Sequence, residues 1–386
     1  MAGMVKFNHV VVGAGIVGSW TALHLRNLGK KVLLLEQFGE PNTRASSHGQ
    51  TRLVRSSYPE PFFAEMMPHA IKMWEDLEKE TKKELLLKAP TLCVSEDPNN
   101  DDFVKSIENT RRLYPHLLEE LKPGEIGSRF NGKLRYSDST GAFIDKSGRV
   151  VKAVKSRLTV QGLFREKGGE MWENCEVLGI TPQGDQVEVV CQKGKVTAES
   201  VVVCAGTWAK KLLTPHLVPD IPLQPNLVGV YYWKEKVKGA YSLSSGFSTF
   251  LDFAEPSVYC LPGHEYPGLV KVCIHKGTPC NPDERDRTDI DKDLEEILRK
   301  YVEDHMPLCD SSKPAIVERC MYTMTPDEIF LVDSVPGHKN IVFGAGFSGT
   351  GFKTSPAIGK MLSQMATGET PFLDPSPFSL SRFNKK

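Results

Sequence analysis

The chain has 386 residues with 48 basic and 48 acidic side chains, so its formal net charge is zero. That balance offers no basic surplus for nucleic acid or an anionic membrane surface, and no apolar run approaches the roughly 20 residues of a membrane span. The length allows two modest domains or one large one, and the nine cysteines are scattered, odd in number and free of any CxxC pair, which fits free thiols in a reducing compartment better than a disulfide framework or a zinc site.

The first element is a predicted strand, His9, Val10, Val11 and Val12, which runs straight into Gly13-Ala14-Gly15-Ile16-Val17-Gly18. A helical pattern follows, with Ala22, Leu23 and Leu25 on one side and Gly29 as its stop. Residues 31–35 then read as a second buried strand ending at Glu36. Strand, glycine-rich turn, helix, strand and acid together are the signature of a dinucleotide site. Gly13 permits the tight turn, Gly15 lets the backbone approach a pyrophosphate, and Gly18 lets the helix lie close to the sheet. The helix N-terminus offers unpaired N–H groups and partial positive charge to phosphate. Glu36 is spaced to accept hydrogen bonds from a ribose, and its charge argues against a 2′-phosphate. The motif leaves FAD and NAD both open. The apolar start is short and broken by glycines, so it reads as a strand and not a signal peptide.

A polar loop follows at 41–50. Residues 62–80 are predicted helical, with Met67, Ala70, Ile71, Trp74 and Leu77 at helical spacing. Pro68 inside that stretch predicts a kink or a late start. Short strands and polar loops begin at Leu92, with one more helix at 102–114. The spacing predicts a helix over 150–166, stopped by Gly168-Gly169, then a strand at 171–173. Residues 187–191 and 195–197 read as a hairpin about Lys193-Gly194, and 201–206 as a separate buried strand and turn. From 215 to 318 proline is frequent and tyrosines alternate with apolar residues, which predicts an antiparallel sheet region with one charged helix at 291–301. Residues 340–343 form a last strand, followed by the glycine-rich turn 344–351 and a helix over 352–366 that carries Lys353 in its first turn. The nucleotide domain is therefore expected in three separated pieces, an arrangement common in FAD proteins and unusual in NAD dehydrogenases.

Several segments, in order along nearly the whole chain, resemble the sarcosine oxidase and L-pipecolate oxidase family of flavoproteins, most closely its animal peroxisomal members. They are GAGIVG at 13–18, SSHGQTRLVR at 46–55, CAGTWAKKLL at 204–213, IPLQP at 221–225, GLVKVCIHKG at 268–277, CMYTMTPDE at 320–328 and GAGFSGTGFK at 344–353. The resemblance implies an α/β fold of the glutathione-reductase and D-amino-acid-oxidase type. A discontinuous Rossmann-like FAD-binding domain (1–87, 145–213 and 322–386) is expected to meet a mixed-sheet substrate domain (88–144 and 214–321).

It also assigns roles to residues at matching positions. Cys320 matches the cysteine that holds the flavin covalently through its 8α-methyl group. Such a bond needs a base or a positive field to favour the thiolate, and Arg319 or another nearby cation is expected to provide it. Arg52 matches an arginine lying over the flavin ring. Arg55 and Lys353 match the pair that holds the substrate carboxylate, a fork and a point charge from different elements. Lys271, in an otherwise apolar strand, is either edge-exposed or buried for a reason; the family places it where the flavin meets oxygen. His275, Tyr259 and Tyr322 match residues of the active-site pocket. Cofactor contacts are implied for Gly13, Gly15, Gly18, Glu36, Thr51, Arg52, Cys320, Gly346, Gly349, Gly351 and Lys353. Thr350 departs from the pattern, standing where relatives carry histidine.

The implied activity is FAD-dependent oxidation of a small secondary amino acid, such as sarcosine, L-pipecolate or L-proline, by oxygen to an imine and hydrogen peroxide. Its partners would be that substrate and oxygen, with no metal, nucleic acid or membrane, and the chain is expected to be a monomer. Two other readings are a dehydrogenase that passes electrons to a protein acceptor and a flavin-binding interaction protein without turnover. Family likeness suggests the peroxisome, although the chain ends Asn384-Lys385-Lys386 and not in a Ser-Lys-Leu-like tripeptide; the cytosol is the alternative.

Overall fold

Val10, Val11 and Val12 are buried because parallel strands flank them on both sides. Val32–Leu35 lies on one edge of Val5–Val12 and Gly194–Val203 on the other. A strand covered on both faces reads as a continuous apolar run, which is why the opening of the chain shows no alternation. The parallel core continues outward to Glu170–Trp172 and to His338–Ala345. Leu331–Val335 adds an antiparallel edge, and Val177–Gln183 with Gln186–Cys191 extends Gly194–Val203 as a hairpin. The computed structural model describes residues 5–214 and 216–383; the C-terminal tripeptide lies outside them.

The glycine-rich turns feed helices that pack on this sheet. Ile16–Asn27 crosses Gly351–Ala366 closely, since a Cβ on Gly359 would lie 2.7 Å from Trp20 Cβ and 2.8 Å from Thr21 N. Trp74 bridges the two, edge-on to Trp20 and stacked on Phe352. That contact anchors the first turn of the C-terminal helix, where Lys353 sits.

A second, nine-stranded sheet holds Thr91–Ser95, Gly141–Asp145 and the long strands of the later chain. Gln224–Lys234 pairs with Leu269–Ile274 on one side and Ile316–Met324 on the other. All its pairs are antiparallel except Thr249–Asp252 with Thr91–Ser95, so the sheet is mixed. A three-stranded sheet of Thr51–Val54, Arg149–Lys152 and Leu86–Lys88 stands beside these. Among the described residues no helix is long and apolar enough to cross a membrane.

Three local expectations are corrected. Val150, Val151 and Lys152 belong to a strand, and the helix begins only at Ala153. Helical spacing continues through them, but the β-branched Val150 and Val151 pair with Leu53 and Arg52 on one side and Leu87 and Leu86 on the other, partners distant in sequence. The helix Pro61–Thr81 starts at Pro61 and runs through Pro68, so Pro68 does not mark a late start. Burial of Phe63, Met67, Ala70, Trp74 and Leu77 offsets the loss of about 3 kcal/mol that an interior proline brings. Residues 195–197 and 201–203 are one strand, Gly194–Val203, paired first with the hairpin and then with His338–Ala345.

Candidate active site

The two glycine-rich turns and the loop after Glu36 border an open cleft with about 1230 Å³ of atom-free space, solvent at its mouth included. Its walls include Gly13, Gly15, Glu36, Ser47, Arg52, Cys320, Tyr322, Gly349 and Gly351. At Gly13, φ is +97° and a Cβ would lie 2.4 Å from the Cys204 carbonyl oxygen. A Cβ at Gly18 would lie 1.9 Å from the Gly13 oxygen, so only glycine lets helix and turn approach this closely. At Gly15 the backbone faces the cavity, and the nearest atom to a Cβ would be Ser47 Oγ at 3.3 Å. Ser47 Oγ accepts from Ile16 N at 3.0 Å. The Glu36 carboxylate accepts from Ala14 N at 2.8 Å and Phe38 N at 3.0 Å. Burial pushes its pKa up, against those bonds. Each carboxylate oxygen keeps a lone pair for a further donor. A large cavity, a helix N-terminus and a buried acid in its wall fit the pyrophosphate and ribose of FAD.

Cys320 lies in the same wall, buried on Ile316–Met324. Burial opposes its thiolate, but the His48 imidazole and the Arg52 guanidinium outweigh it and bring the thiol down to about 7. His48 Nδ1 donates to the Ala45 carbonyl at 2.6 Å, which leaves Nε2 to act on sulfur. The expected contribution of Arg319 is not what forms. Neighbours along a strand point to opposite faces, and Arg319 Nε reaches the Thr288 carbonyl at 3.4 Å. The other cysteines with shifted thiols, Cys93, Cys175, Cys204, Cys260, Cys273, Cys280 and Cys309, are all pushed up by burial. Arg52 spends its donors on carbonyls, with Thr51 O at 2.8 Å, Ser46 O at 2.9 Å and His48 O at 2.6 Å, and its guanidinium carbon is 5.7 Å from the Phe352 ring centre.

Lys271 is not at a sheet edge. Tyr232 pairs with it on one side and Leu261 on the other, and 5% of its side chain is exposed. Its Nζ lies 3.2 Å from Glu265 Oε1, 3.3 Å from the Thr51 carbonyl and 3.4 Å from Thr51 Oγ1.

Arg55 and Lys353 make a different arrangement. The Arg55 guanidinium carbon is 4.0 Å and Lys353 Nζ 5.3 Å from the centre of the Tyr58 ring. Among the described residues neither cation has a carboxylate within ion-pair distance, and the one side-chain hydrogen bond of Arg55 goes to Ser57 Oγ at 3.5 Å. Burial, then repulsion from Arg55, pulls Lys353 down to about 7. Two cations around one aromatic ring, with no carboxylate within ion-pair distance of either, leave positive charge that an anion can neutralise.

His275 follows the Leu269–Ile274 strand, its ring centre 5.3 Å from that of Tyr322 and its Nε2 3.7 Å from Glu328 Oε2. A Cβ at Gly349, where φ is +83°, would lie 2.6 Å from His275 Cε1 and 3.4 Å from Tyr322 Cζ. The second glycine turn therefore presses on both rings. Gly346 is equally tight, with Thr325 Cγ2 2.5 Å from a Cβ, and Gly351 opens the C-terminal helix against Phe347. Burial pushes the phenols of Tyr259 and Tyr322 up, Tyr322 to about 12, so both stay neutral donors. Thr350 caps the turn by donating from Oγ1 to the Phe347 carbonyl at 2.7 Å.

The cavity thus joins Gly13, Gly15, Gly349 and Gly351 of the two turns with Glu36, Arg52, Cys320 and Tyr322, while Gly18, Thr51, Gly346, Arg55, Lys353, Lys271, Tyr259 and His275 stand outside its walls; of these last five only Lys353, next to Phe352, and Arg55, just past the strand that carries Arg52, lie close to lining residues in the chain. Sequence reasoning quoted Ser47, His48 and Glu328 within motifs without giving them work, and passed over Glu265. Only Ser47 had a local signal, a hydroxyl in the loop following the dinucleotide motif.

Residues 8–365 match the family of FAD dependent oxidoreductases. The chain is 40% identical over 379 residues to the peroxisomal sarcosine oxidase of Mus musculus, covering 97% of this chain and 96% of that protein. It is 32% identical over 387 residues to the monomeric sarcosine oxidase of Bacillus sp. (strain B-0618), covering 97% and 96%. Among solved structures, NikD, an unusual amino acid oxidase essential for nikkomycin biosynthesis, superposes with a TM-score of 0.81 at 20% identity over 97% of each chain, which shows a shared fold. The chain belongs to the FAD dependent oxidoreductases and, among them, to the family of the sarcosine oxidases.

Proposed function

We propose that the chain is an FAD-dependent oxidase of small secondary amino acids such as sarcosine, L-pipecolate or L-proline, giving an imine and hydrogen peroxide. The observation that carries this reading is the pair of cations, Arg55 and Lys353, around Tyr58, neither with a carboxylate within ion-pair distance among the described residues. An amino acid carboxylate is the anion they suit. Anchored there, a small substrate lies near the Gly349 turn with His275, Tyr259 and Tyr322 as its walls. FAD, when bound, supplies the acceptor for the two electrons of the carbon–hydrogen bond beside the amine and their route to oxygen. Lys271 Nζ contributes a fixed positive charge where oxygen becomes negative. Cys320 is the residue that would hold the flavin covalently, with His48 Nε2 taking the thiol proton.

In this reading FAD is carried by 1–87, 145–213 and 322–386, and the substrate is covered by 88–144 and 214–321. The strand Ile316–Met324 crosses that division and ties Cys320 to the substrate sheet. Peroxisomal residence and a monomeric state belong to the same reading, supported by the kinship with peroxisomal and monomeric sarcosine oxidases. The test is a peroxide assay of the flavin-loaded protein in air with a panel of secondary amino acids. At least one should give peroxide in step with its own consumption. Flavin reduction without peroxide would make the protein a dehydrogenase, and no reduction by any of them would remove the activity.

A further inference from the structure

Glu265 has no place in the site as derived so far, yet its surroundings are not those of a passive side chain. It lies in the turn before Leu269–Ile274, and 4% of its side chain is exposed. Oε1 meets Lys271 Nζ at 3.2 Å and also accepts from Thr51 Oγ1. Oε2 is buried with no partner among the described residues. An unsatisfied carboxylate oxygen at that depth is costly, and an apolar pair of similar volume would often serve stability better than a buried ion pair. Burial would push this carboxyl up, but Lys271 and the hydroxyl of Thr51 outweigh it and hold it below the usual carboxylate range.

We infer that Glu265 is a positioning residue for the reaction with oxygen: its carboxylate is the permanent counter-ion of Lys271 and fixes the ammonium against Thr51. The inference rests on the oxygen role proposed for Lys271. Its physical content is that an ammonium buried without a counter-ion gives up its proton more readily, so the partner favours the charged form. The other groups facing the pair do not replace it. Tyr232, on Gln224–Lys234, faces both partners, its hydroxyl toward Glu265 and its ring centre 5.4 Å from Lys271 Nζ, but it is a phenol pushed up by burial that also donates to Glu318 at 3.4 Å and carries no charge; Tyr266 donates to Glu318 at 2.7 Å. Cys273, two residues along the strand, is a thiol pushed up by burial, and Arg52 is committed to carbonyls.

The test compares Glu265→Gln, Lys271→Met and the double variant, each as the flavin-loaded full chain. Reoxidation by oxygen is followed by stopped flow from about pH 6 to about pH 10, with thermal unfolding over the same range. In Glu265→Gln, reoxidation should fall as pH rises, by up to roughly tenfold per unit once Lys271 loses its proton, while the parent stays flat. A buried lysine with a lowered pKa binds fewer protons folded than unfolded, so the melting temperature of Glu265→Gln should rise with pH relative to the parent. Neither trend should appear when the same change is made in Lys271→Met. If Glu265→Gln and parent profiles run parallel while Lys271→Met is slow, Glu265 has no such role. If Lys271→Met reoxidises like the parent, the oxygen role of Lys271 fails instead, and the unfolding trends still report whether the pair is coupled. A Glu265→Gln effect that persists in Lys271→Met overturns the inference as well, because Glu265 would then act independently of the lysine. Should Glu265→Gln fail to fold, Glu265→Asp keeps the charge and should restore folding with a flat pH profile; a sloping one counts against the inference.

Discussion

Lys271 and Lys353 stand in opposite surroundings. Lys271 lies inside a sheet with Glu265 as an acid of its own and two oxygens of Thr51 beside it. Lys353 lies in the first turn of a helix with a second cation, Arg55, across a shared aromatic ring. Burial without an anion costs a lysine its proton affinity, and Lys353 is pulled down to about 7. The difference separates two uses of an ammonium. A lysine with a resident counter-ion is a constant charge, whereas one without is suited to an anion that arrives and leaves. The first suits oxygen chemistry, which needs the same charge at every turnover, and the second suits a substrate carboxylate.

The largest expected effect is on the constant charge. Lys271→Met keeps length and apolar packing and deletes the ammonium. Reoxidation of reduced enzyme by oxygen should slow by about 10²- to 10³-fold, measured by stopped flow. Arg55→Ala should weaken binding of a simple carboxylate inhibitor by about ten- to a hundredfold, the worth of one charge-assisted hydrogen bond at roughly 1.5–3 kcal/mol. Unchanged affinity in a titration would take Arg55 out of the receptor.

The pH dependence of that same affinity sharpens the contrast. A carboxylate bound beside Lys353 favours its charged form and raises its pKa, so binding above about pH 7 takes up a proton. Affinity should therefore fall as pH rises past about 7, by up to roughly tenfold per unit, and Lys353→Met should flatten the curve. Folding carries the matching sign. The folded pKa is lowered, so this group's contribution to stability rises with pH above about 7 and is lost as pH falls back through it. A subtler effect concerns the flavin linkage. Acid-denatured parent should give a yellow pellet, and Cys320→Ser a colourless one with all flavin in the supernatant.

The two corners were not equally legible in the chain. The glycine turns announce themselves because Gly13, Gly18 and Gly349 answer local needs, a positive φ or a contact no Cβ survives. Lys271 stood out only as a polar residue in an apolar strand, and edge or interior could not be told apart until Tyr232 and Leu261 were seen on either side of it. Glu265 carries no pattern at all, because it lies in a turn and its meaning comes from Thr51, more than two hundred residues away in the chain. Likewise Arg319 adjoins Cys320 in sequence but points away, while His48 reaches it across the fold. Val150, Val151 and Lys152 failed for the same reason, since their strand partners are non-local.

The most direct measurement takes Lys271→Met and Lys353→Met through both half-reactions separately. Lys271→Met should reduce with amino acid within a few-fold of the parent and reoxidise far more slowly. Lys353→Met should need much more amino acid to reach the same reduction rate and reoxidise within a few-fold of the parent. If both variants slowed the same half-reaction and spared the other, the division between a constant charge and a substrate receptor would be contradicted.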